Sequence, residues 1–297
     1  MQTKRKRRFG DRYDGWKLRN ASAYFSVIPH IMKRHSDSSV YFDDEIDIGV
    51  LEDYVQKKRQ EDPRYENLSL SHVMITAMLH VMIMRPALNR FVIGGKVYAR
   101  NSLTVCMAVK HKMSSESAES IIKPVFEKTD ALFEVYSKIM SAIEEDVRSA
   151  NGKTDTDNVA NILRLLPSWL IRLIVNIMIF LDNHGKMPKA IHRASPFHTS
   201  LFVTNVGSLG IGPIYHHIYD FGTTSIFFAI GKKEWTLRRK LDGSITEKRV
   251  VRIKIVADER ICDGFYYAHS FRLLKHMLKH PETLEKAPAE APEGPWL

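Results

Sequence analysis

The sequence predicts an α/β domain with a mixed sheet, on two observations. Helical patterns dominate the first half and the middle of the chain, and strand patterns dominate the second half before a closing helix. The chain has 297 residues, 44% of them hydrophobic, which is enough for a full core and excludes a disordered chain.

The first half supplies the main predicted helices. Residues 68–84 are apolar on nearly every side, begin beside the capping residues Ser69 and Ser71, and stop before Pro86, which predicts a buried helix. Residues 103–109 alternate with a period of two, which predicts a strand. From residue 129 apolar side chains recur every three or four positions, which predicts an amphipathic helix over one sheet face.

Strand patterns recur through the second half. They cover residues 200–206, 225–231, 234–240 and 246–256. The last two are joined by a turn sequence that contains Asp242 and Gly243, which predicts a hairpin. A helical pattern over residues 265–279 closes the domain.

The most apolar stretch runs from Leu165 to Leu181. It contains Pro167, Arg172 and Asn176, and it is close to the minimum length that spans hydrocarbon. We predict a buried or interface helix here that contacts a protein partner, with a membrane-associated helix as the alternative.

Charge is distributed unevenly along the chain. The total is 44 Lys and Arg against 34 Asp and Glu, but residues 1–12 carry six cations and one anion, and residues 281–297 carry four anions and one cation. We therefore predict a basic flexible tail over residues 1–14, one domain over residues 15–280, and a disordered acidic, proline-containing tail over residues 281–297. The basic tail is interpreted as solvated, with a membrane-surface or nucleic-acid contact as the alternative.

Cysteine usage and the N-terminus bear on the compartment. Cys106 and Cys262 are far apart and lack metal-like spacing, which argues against a disulfide framework and a zinc site. The N-terminal sequence lacks the apolar region and cleavage site of a secretory signal. We predict a cytoplasmic protein without a metal, in which both thiols are small core residues.

The segment between the last predicted strand and the last predicted helix is the most informative about function. Residues 258–264 read Asp-Glu-Arg-Ile-Cys-Asp-Gly. This resembles the Asp-His-Arg-x-x-Asp-Gly motif of the acyltransferase cores of 2-oxo acid dehydrogenase complexes, in the superfamily of chloramphenicol acetyltransferase and dihydrolipoamide acyltransferase. Three further segments resemble landmarks of that family in the same order, so the resemblance spans roughly residues 15–280; they are residues 40–51, residues 85–89 and residues 202–210.

The resemblance implies a two-layer sandwich with a mixed sheet, like that of chloramphenicol acetyltransferase. It also implies a homotrimer with active sites between subunits, and coenzyme A as a substrate. The sequence contains no lipoyl segment, so we expect a stand-alone core that carries no lipoyl group and acts on an acceptor supplied by another molecule.

The resemblance also assigns site residues, position by position. Glu259 stands where the family has its catalytic histidine, and Thr204 stands where it has the serine that stabilises the oxyanion. Asp263 is expected to organise the loop through an arginine, for which Arg19 is the candidate by position, and to cap the following helix. Gly264 is expected to form the turn into the helix, and Arg260 belongs to the same motif.

Glutamate at the position of the base is the main departure from the family. Its reference pKa is about four units below that of a thiol, so removal of a thiol proton by Glu259 is uphill by roughly 5–6 kcal/mol. Burial raises the pKa of a carboxyl group and so reduces this difference in pKa. Two hypotheses stay open: Glu259 is an alternative base or a substrate-binding carboxylate, or the site is catalytically inactive and the chain is a scaffold or an acyl-CoA-binding partner.

Secondary candidates surround the predicted oxyanion residue. Asn205 follows Thr204 directly, and His216 and His217 lie on the loop after the same strand. Paired histidines lack a third metal ligand nearby, so packing at a surface or interface is the simpler interpretation.

Overall fold

The computed structural model describes residues 6–110, 119–150 and 166–289. Its strands are β1 (Gly15–Lys17), β2 (Ser39–Asp47), β3 (Arg90–Ile93), β4 (Lys96–Arg100), β5 (Leu103–Lys110), β6 (Glu119–Ile122), β7 (Val125–Phe126), β8 (Leu201–Asn205), β9 (Ile226–Arg239) and β10 (Ile245–Asp258). Its α-helices are α1 (Ala23–Ile31), α2 (His35–Ser38), α3 (Gly49–Glu61), α4 (Leu70–Met84), α5 (Leu132–Ala150), α6 (Ser168–Asn183), α7 (Lys189–Ala194) and α8 (Gly264–Lys279).

Seven strands form the main sheet, in the order β2-β10-β9-β8-β5-β6, with β7 also paired to β5. The β5–β8 and β8–β9 pairs are parallel and the other pairs are antiparallel, so the sheet is mixed as predicted. The sequence patterns predicted separate strands at residues 225–231 and 234–240. The structure instead has the single strand β9, and the register of its pairing with β10 shifts between residues 251 and 253, as at a β-bulge.

Helices cover one face of this sheet, which confirms the predicted two-layer α/β class. Helix α4 is buried from His72 to Ile83, because its sequence is apolar on all sides and other elements surround it. Alternate residues of the central strands, including Val203 and Ile255, pack into the same core. The opposite face carries a small apolar cluster of Phe227, Val256 and Ile218, against which Phe202 packs.

A second sheet has the order β1-β4-β3 and was not predicted. Its β3–β4 hairpin turns through Gly94 and Gly95, which have φ values of +56° and +70°. Two successive residues in this left-handed region are typical of the tight turns that fit the twist of paired strands, and they favour glycine. A side chain on Gly95 would also collide with His30 of α1, so this turn packs closely against the first helix.

Ordered structure extends past both predicted ends of the domain. Arg12 and Asp14, assigned to the flexible tail, are each only 4% exposed. A 3₁₀ turn over Pro281–Glu285 follows α8, and its Leu284 is part of the core. Described residues on both sides of the predicted domain bounds therefore pack against the domain, and residues 1–5 and 290–297 lie outside the described residues.

Helix α6 confirms a helix in the apolar stretch; of the two predicted settings, buried or at an interface, the structure excludes burial within this chain. Asp182 is its only buried residue, whereas Trp169 is 67% exposed and Phe180 is 61% exposed. The beginning of the stretch, including Leu165, lies outside the described residues. In the part of the chain that the structure covers, no helix has the length and apolar character needed to cross a bilayer.

Candidate active site

A buried ion pair between Asp258 and Arg260 forms the centre of the predicted motif. The Arg260 guanidinium donates to both carboxylate oxygens of Asp258, at 2.8 Å from Nε and 2.7 Å from Nη2. Asp258 is completely buried and Arg260 is 2% exposed. Asp258 is the last residue of β10 and Arg260 lies in the turn that follows, where its backbone N–H also donates to Oδ1 of Asp258 at 2.9 Å.

His35 completes this cluster. Its Nδ1 lies 3.1 Å from an Asp258 oxygen and 3.1 Å from Nη2 of Arg260. Burial acts to raise the pKa of Asp258, but the hydrogen bonds from His35 and Arg260 outweigh it and hold that pKa well below its ordinary value. Asp258 is therefore a carboxylate at neutral pH.

Sequence reasoning did not select His35 or Asp258 as functional residues. Asp258 was visible as the first residue of the quoted motif, one position before the expected base. No local pattern marks His35, because it meets the motif only through folding of the segment after α1.

Glu259 lies directly after this cluster and is half-buried. Its backbone N–H donates to the carbonyl of Ser38 at 2.8 Å, which ties the motif to the residues before β2. Its carboxylate forms no ion pair with any described residue. The structure thus gives it no arginine, lysine or histidine partner within the described chain.

Asp263 caps helix α8. Its Oδ1 accepts a hydrogen bond from the backbone N–H of Tyr266 at 2.8 Å, as the capping prediction requires. The next residue, Gly264, is the first of α8, but its φ is outside the left-handed region and a Cβ there would meet no atom within 4 Å. Within this chain, therefore, the turn itself does not require glycine.

The predicted pairing of Asp263 with Arg19 is wrong. The Arg19 guanidinium lies 2.8 Å from Asp11 and donates to the carbonyl of Phe9, which keeps it in the N-terminal segment. Arg19 follows the short strand β1, which belongs to the second sheet. The loop-organising arginine is instead Arg260, and its partner is Asp258.

Thr204 lies on β8 and is half-exposed. Thr204 lies two residues after Phe202 on the same strand, so it faces away from the helices as Phe202 does. Asp258 lies two residues after Val256, which is on that same face, so Asp258 also faces away from the helices. Thr204 pairs with Ala229, which pairs with Lys254, five residues before Glu259. At about 3.3 Å per residue and about 4.8 Å per strand, Thr204 and Glu259 of one chain are roughly 20 Å apart.

The secondary candidates are held by other contacts. The amide of Asn205 donates to the hydroxyl of Ser71 at 2.7 Å. The ring of His216 stacks on Phe227 with centroids 4.3 Å apart, and burial, then the charge of His217, lowers the pKa of His216. His217 itself is exposed and lies edge-on to Tyr219.

Both thiols are free and buried. Burial raises the pKa of Cys106 to about 12 and that of Cys262 to about 12, so neither is an activated nucleophile. Over the described residues, no group of three or more side chains has the composition and spacing of a metal site.

A cavity of about 120 Å³ opens beside the motif. His35 and Arg260 line it from one side and the Gly94–Gly95 turn from another, and Lys33 and Arg34 contribute two exposed cations. Asp220, which also lines the cavity, accepts a hydrogen bond from the backbone N–H of His35 at 2.9 Å. Its lining also includes Asp182, so cationic and anionic residues both contribute to the cavity.

A second buried cluster borders the same cavity through Asp182. One oxygen of Asp182 accepts from Arg12 at 2.8 Å, and the other lies 2.8 Å from Nε2 of His198. The other ring nitrogen of His198 lies 2.7 Å from the hydroxyl of Ser195. Neither His198 nor Ser195 lines the cavity. Because Asp182 also pairs with Arg12, these contacts connect the N-terminal segment to the end of α6.

Comparisons with known proteins connect this geometry to a fold. Comparisons with protein-family models and with curated proteins found no match. Among solved structures, the chain is similar to a probable dihydrolipoamide acetyltransferase from Listeria monocytogenes, with a TM-score of 0.53, 14% identity, and coverage of 86% of this chain and 92% of that chain.

Two further structures agree. The dihydrolipoamide acetyltransferase of Azotobacter vinelandii, studied for the catalytic roles of a serine, a histidine and an asparagine, has a TM-score of 0.52 at 11% identity over 83% of each chain. A truncated catalytic core of the 2-oxoacid dehydrogenase complex of Thermoplasma acidophilum has a TM-score of 0.52 at 10% identity, covering 89% of this chain and 98% of that chain. The chain therefore has the fold of dihydrolipoamide acyltransferase catalytic domains, which confirms the fold that the sequence resemblance implied.

Proposed function

We propose that this protein is a coenzyme A-dependent acyltransferase-like protein that moves an acyl group between a coenzyme A thioester and a thiol, hydroxyl or amine acceptor. The observation that carries the proposal is the position of the motif. Residues 258–264 connect the last strand of an acyltransferase-like sheet to the last helix, with Asp258 and Arg260 buried and Asp263 capping the helix. In the Azotobacter enzyme, the histidine and asparagine studied for catalysis are four residues apart, which is the spacing of Glu259 and Asp263.

The distance between Thr204 and Glu259 supports an assembly of several copies. At roughly 20 Å apart along one sheet, the two side chains of one chain do not act on the same atoms. The sequence resemblance implies a homotrimer with sites between subunits, and in such an arrangement Thr204 of one copy meets the motif of the next. Thr204 would then donate its hydroxyl to the oxyanion of the tetrahedral intermediate.

The exposed helix α6 supports a protein contact. Trp169, Leu173 and Phe180 are each at least 47% exposed, and they recur at helical spacing. Large apolar surfaces of this kind mark interaction sites. We propose that α6 contacts a protein partner, and that the protein acts in the cytoplasm, where free buried thiols such as Cys106 and Cys262 are typical.

The second candidate function is a catalytically inactive scaffold or acyl-CoA-binding partner. It is favoured by the glutamate at position 259. The pKa of a carboxyl group is far below that of a thiol, so a carboxylate is a poor base for a thiol proton. A carboxylate also repels the negative charge of a nearby oxyanion. Loss of a positioned base typically lowers a rate by about 10²–10⁴-fold.

Calorimetric titration of the full chain with coenzyme A and with acetyl-CoA tests the proposal. ATP is the control ligand, because a protein with a formal net charge of +10 attracts polyphosphates without specificity. Micromolar binding of both coenzyme A species, with much weaker binding of ATP, is expected. Absence of binding by folded, oligomeric protein, as judged by circular dichroism and sedimentation, would overturn the coenzyme A function and leave assembly as the role of the fold.

A further inference from the structure

We propose that His35, oriented by Asp258, is the general base of this protein and takes the role that a histidine at position 259 has in the related acyltransferases. The proposal rests on the function proposed above and names the residue that would carry out its proton transfer. It replaces Glu259 as the candidate base by a residue from a different part of the chain.

The geometry is that of a histidine held by a carboxylate. Nδ1 of His35 lies 3.1 Å from Oδ2 of Asp258, and both side chains are buried. The backbone of His35 is fixed as well, because its N–H donates to Asp220 at 2.9 Å and its carbonyl accepts from the hydroxyl of Ser39 at 2.6 Å. A carboxylate that accepts from Nδ1 fixes the ring so that Nε2 is the basic nitrogen.

Arg260 approaches the same ring nitrogen. Its Nη2 is 3.1 Å from Nδ1 and 2.7 Å from Oδ2 of Asp258, so the shorter of the two contacts is the one to the carboxylate. Asp258 is ionised at neutral pH, so it accepts from Nδ1–H as well as from the guanidinium. We assign the proton to Nδ1 on these contacts. Nε2 then has its lone pair free, since it hydrogen-bonds to no atom of the described chain.

His35 is one of the residues that line the cavity beside the motif. The cavity has a volume of about 120 Å³, close to that of about four water molecules. That is enough for the reacting end of a thioester but not for a whole coenzyme. Lys33 and Arg34 are exposed residues of the lining, so their cations can hold the phosphates of coenzyme A outside while the acyl group enters.

The reaction balances with His35 alone as the proton carrier. Nε2 accepts the proton of the acceptor hydroxyl or thiol while the acceptor oxygen or sulfur attacks the thioester carbonyl carbon. The tetrahedral intermediate then collapses with cleavage of the carbon–sulfur bond. The proton on Nε2 passes to the departing sulfur of coenzyme A, and His35 returns to its neutral form. Asp258 remains ionised and stabilises the imidazolium between the two steps.

Other groups near the ring do not replace it. Arg260, Arg34 and Lys33 are cations and accept no proton at neutral pH. The carboxylate of Asp220 accepts from the backbone N–H of His35, and Asp182, which also lines the cavity, is paired with Arg12 and His198. Glu259, although next to Asp258, does not line the cavity.

Chemical modification tests the proposal without requiring turnover. The folded full-length protein is treated with diethyl pyrocarbonate, which reacts with unprotonated and accessible imidazole nitrogen, and the modified histidines are mapped by mass spectrometry. We expect His35 to react and to be protected at least fivefold by acetyl-CoA, whereas the exposed His217 reacts without protection. An unreactive His35 in folded protein would overturn the assignment, as would reactivity that acetyl-CoA leaves unchanged although calorimetry detects binding.

Variants then separate His35 from Glu259. His35→Asn keeps a donor toward Asp258 but has no Nε2, and Glu259→Gln removes the carboxylate. With hydrolysis of acetyl-CoA, in which water is the acceptor, as the assay, we expect His35→Asn to lose about 10²-fold or more and Glu259→Gln to lose much less. Circular dichroism confirms folding, and calorimetry confirms unchanged coenzyme A affinity. The reverse order of losses would overturn the role of His35, while absence of coenzyme A binding by the unmodified protein would overturn the proposed function itself.

Discussion

Asp258 and Arg260 form a two-pronged ion pair in the interior of the protein, with donor–acceptor distances of 2.8 Å and 2.7 Å. The carbonyl of Asp258 also accepts from the hydroxyl of Tyr267 at 2.8 Å, so the pair is tied to helix α8. The first aspartate of the motif therefore organises this loop. The last one, Asp263, only begins the helix.

Asp258→Asn should destabilise the protein strongly. The substitution removes the negative charge that compensates Arg260, and an uncompensated buried charge costs about 3–5 kcal/mol. We expect a decrease of that size in the free energy of unfolding, measured by urea denaturation at pH 7. A decrease below about 1 kcal/mol would mean that the pair is hydrated and contributes little.

The same substitution predicts a pH dependence. The pKa of Asp258 is lower in the folded protein than the ordinary value of about 3.9, so the unfolded chain takes up this proton first as the pH falls. The stabilisation from Asp258 is thus complete above about pH 5 and is lost as the pH falls toward the folded-state pKa. The difference in unfolding free energy between the unmodified protein and Asp258→Asn should therefore shrink between pH 6 and pH 3, and a constant difference would contradict the assigned pKa direction.

Glu259→Gln should leave stability nearly unchanged. The carboxylate of Glu259 is half-buried and forms no ion pair with a described residue, while its backbone contact to Ser38 does not depend on the side chain. Substitutions of this kind usually change stability by less than about 0.5 kcal/mol. Urea denaturation alongside Asp258→Asn gives the comparison, and a loss above about 1.5 kcal/mol would indicate a structural role for Glu259.

The elements that the sequence predicted well are those with a long, regular pattern. Helix α4 is apolar on all sides over Leu70–Met84, and an apolar run of this length predicts a buried helix. Apolar and polar residues alternate along strand β10, which follows a clear turn, so the side of the sheet that each residue faces could be predicted. The capping role of Asp263 was predictable because an aspartate directly before a helix has a local partner.

The features that were missed depend on distant contacts. Strands β1, β3 and β4 have at most five residues each, and their positions follow from packing around the buried Arg100, whose guanidinium lies 4.6 Å from the ring of Phe91. No periodicity reveals that Arg19 meets Asp11 or that His35 meets Asp258. Helix α6 was recognised as a helix, but its wide apolar face does not by itself indicate which surface packs against it.

Cys106 and Cys262 should be unreactive in the folded protein. Burial leaves Cys106 fully inaccessible and Cys262 3% exposed, and the raised pKa of each, about 12, keeps the thiolate fraction negligible at pH 8. We expect no thiol to react with 5,5′-dithiobis(2-nitrobenzoate) within minutes under native conditions, and both to react in guanidinium chloride. Rapid reaction of one thiol without denaturant would show that its region opens locally.

Substitutions on helix α6 should weaken association of the protein. Phe180→Glu places a charge on a side chain that is 61% exposed, and Trp169→Glu does so at the second residue of the helix, which is 67% exposed. If α6 lies in an interface, each aromatic contributes about 2 kcal/mol or more, so each variant should weaken assembly by roughly 30-fold. Sedimentation velocity over a range of concentrations measures this shift. Leu237→Glu, on β9 at 69% exposure, is the matched control and should leave the mass unchanged. Equal masses for all three variants and the unmodified protein would exclude α6 from contacts between copies and direct the search toward a different partner protein.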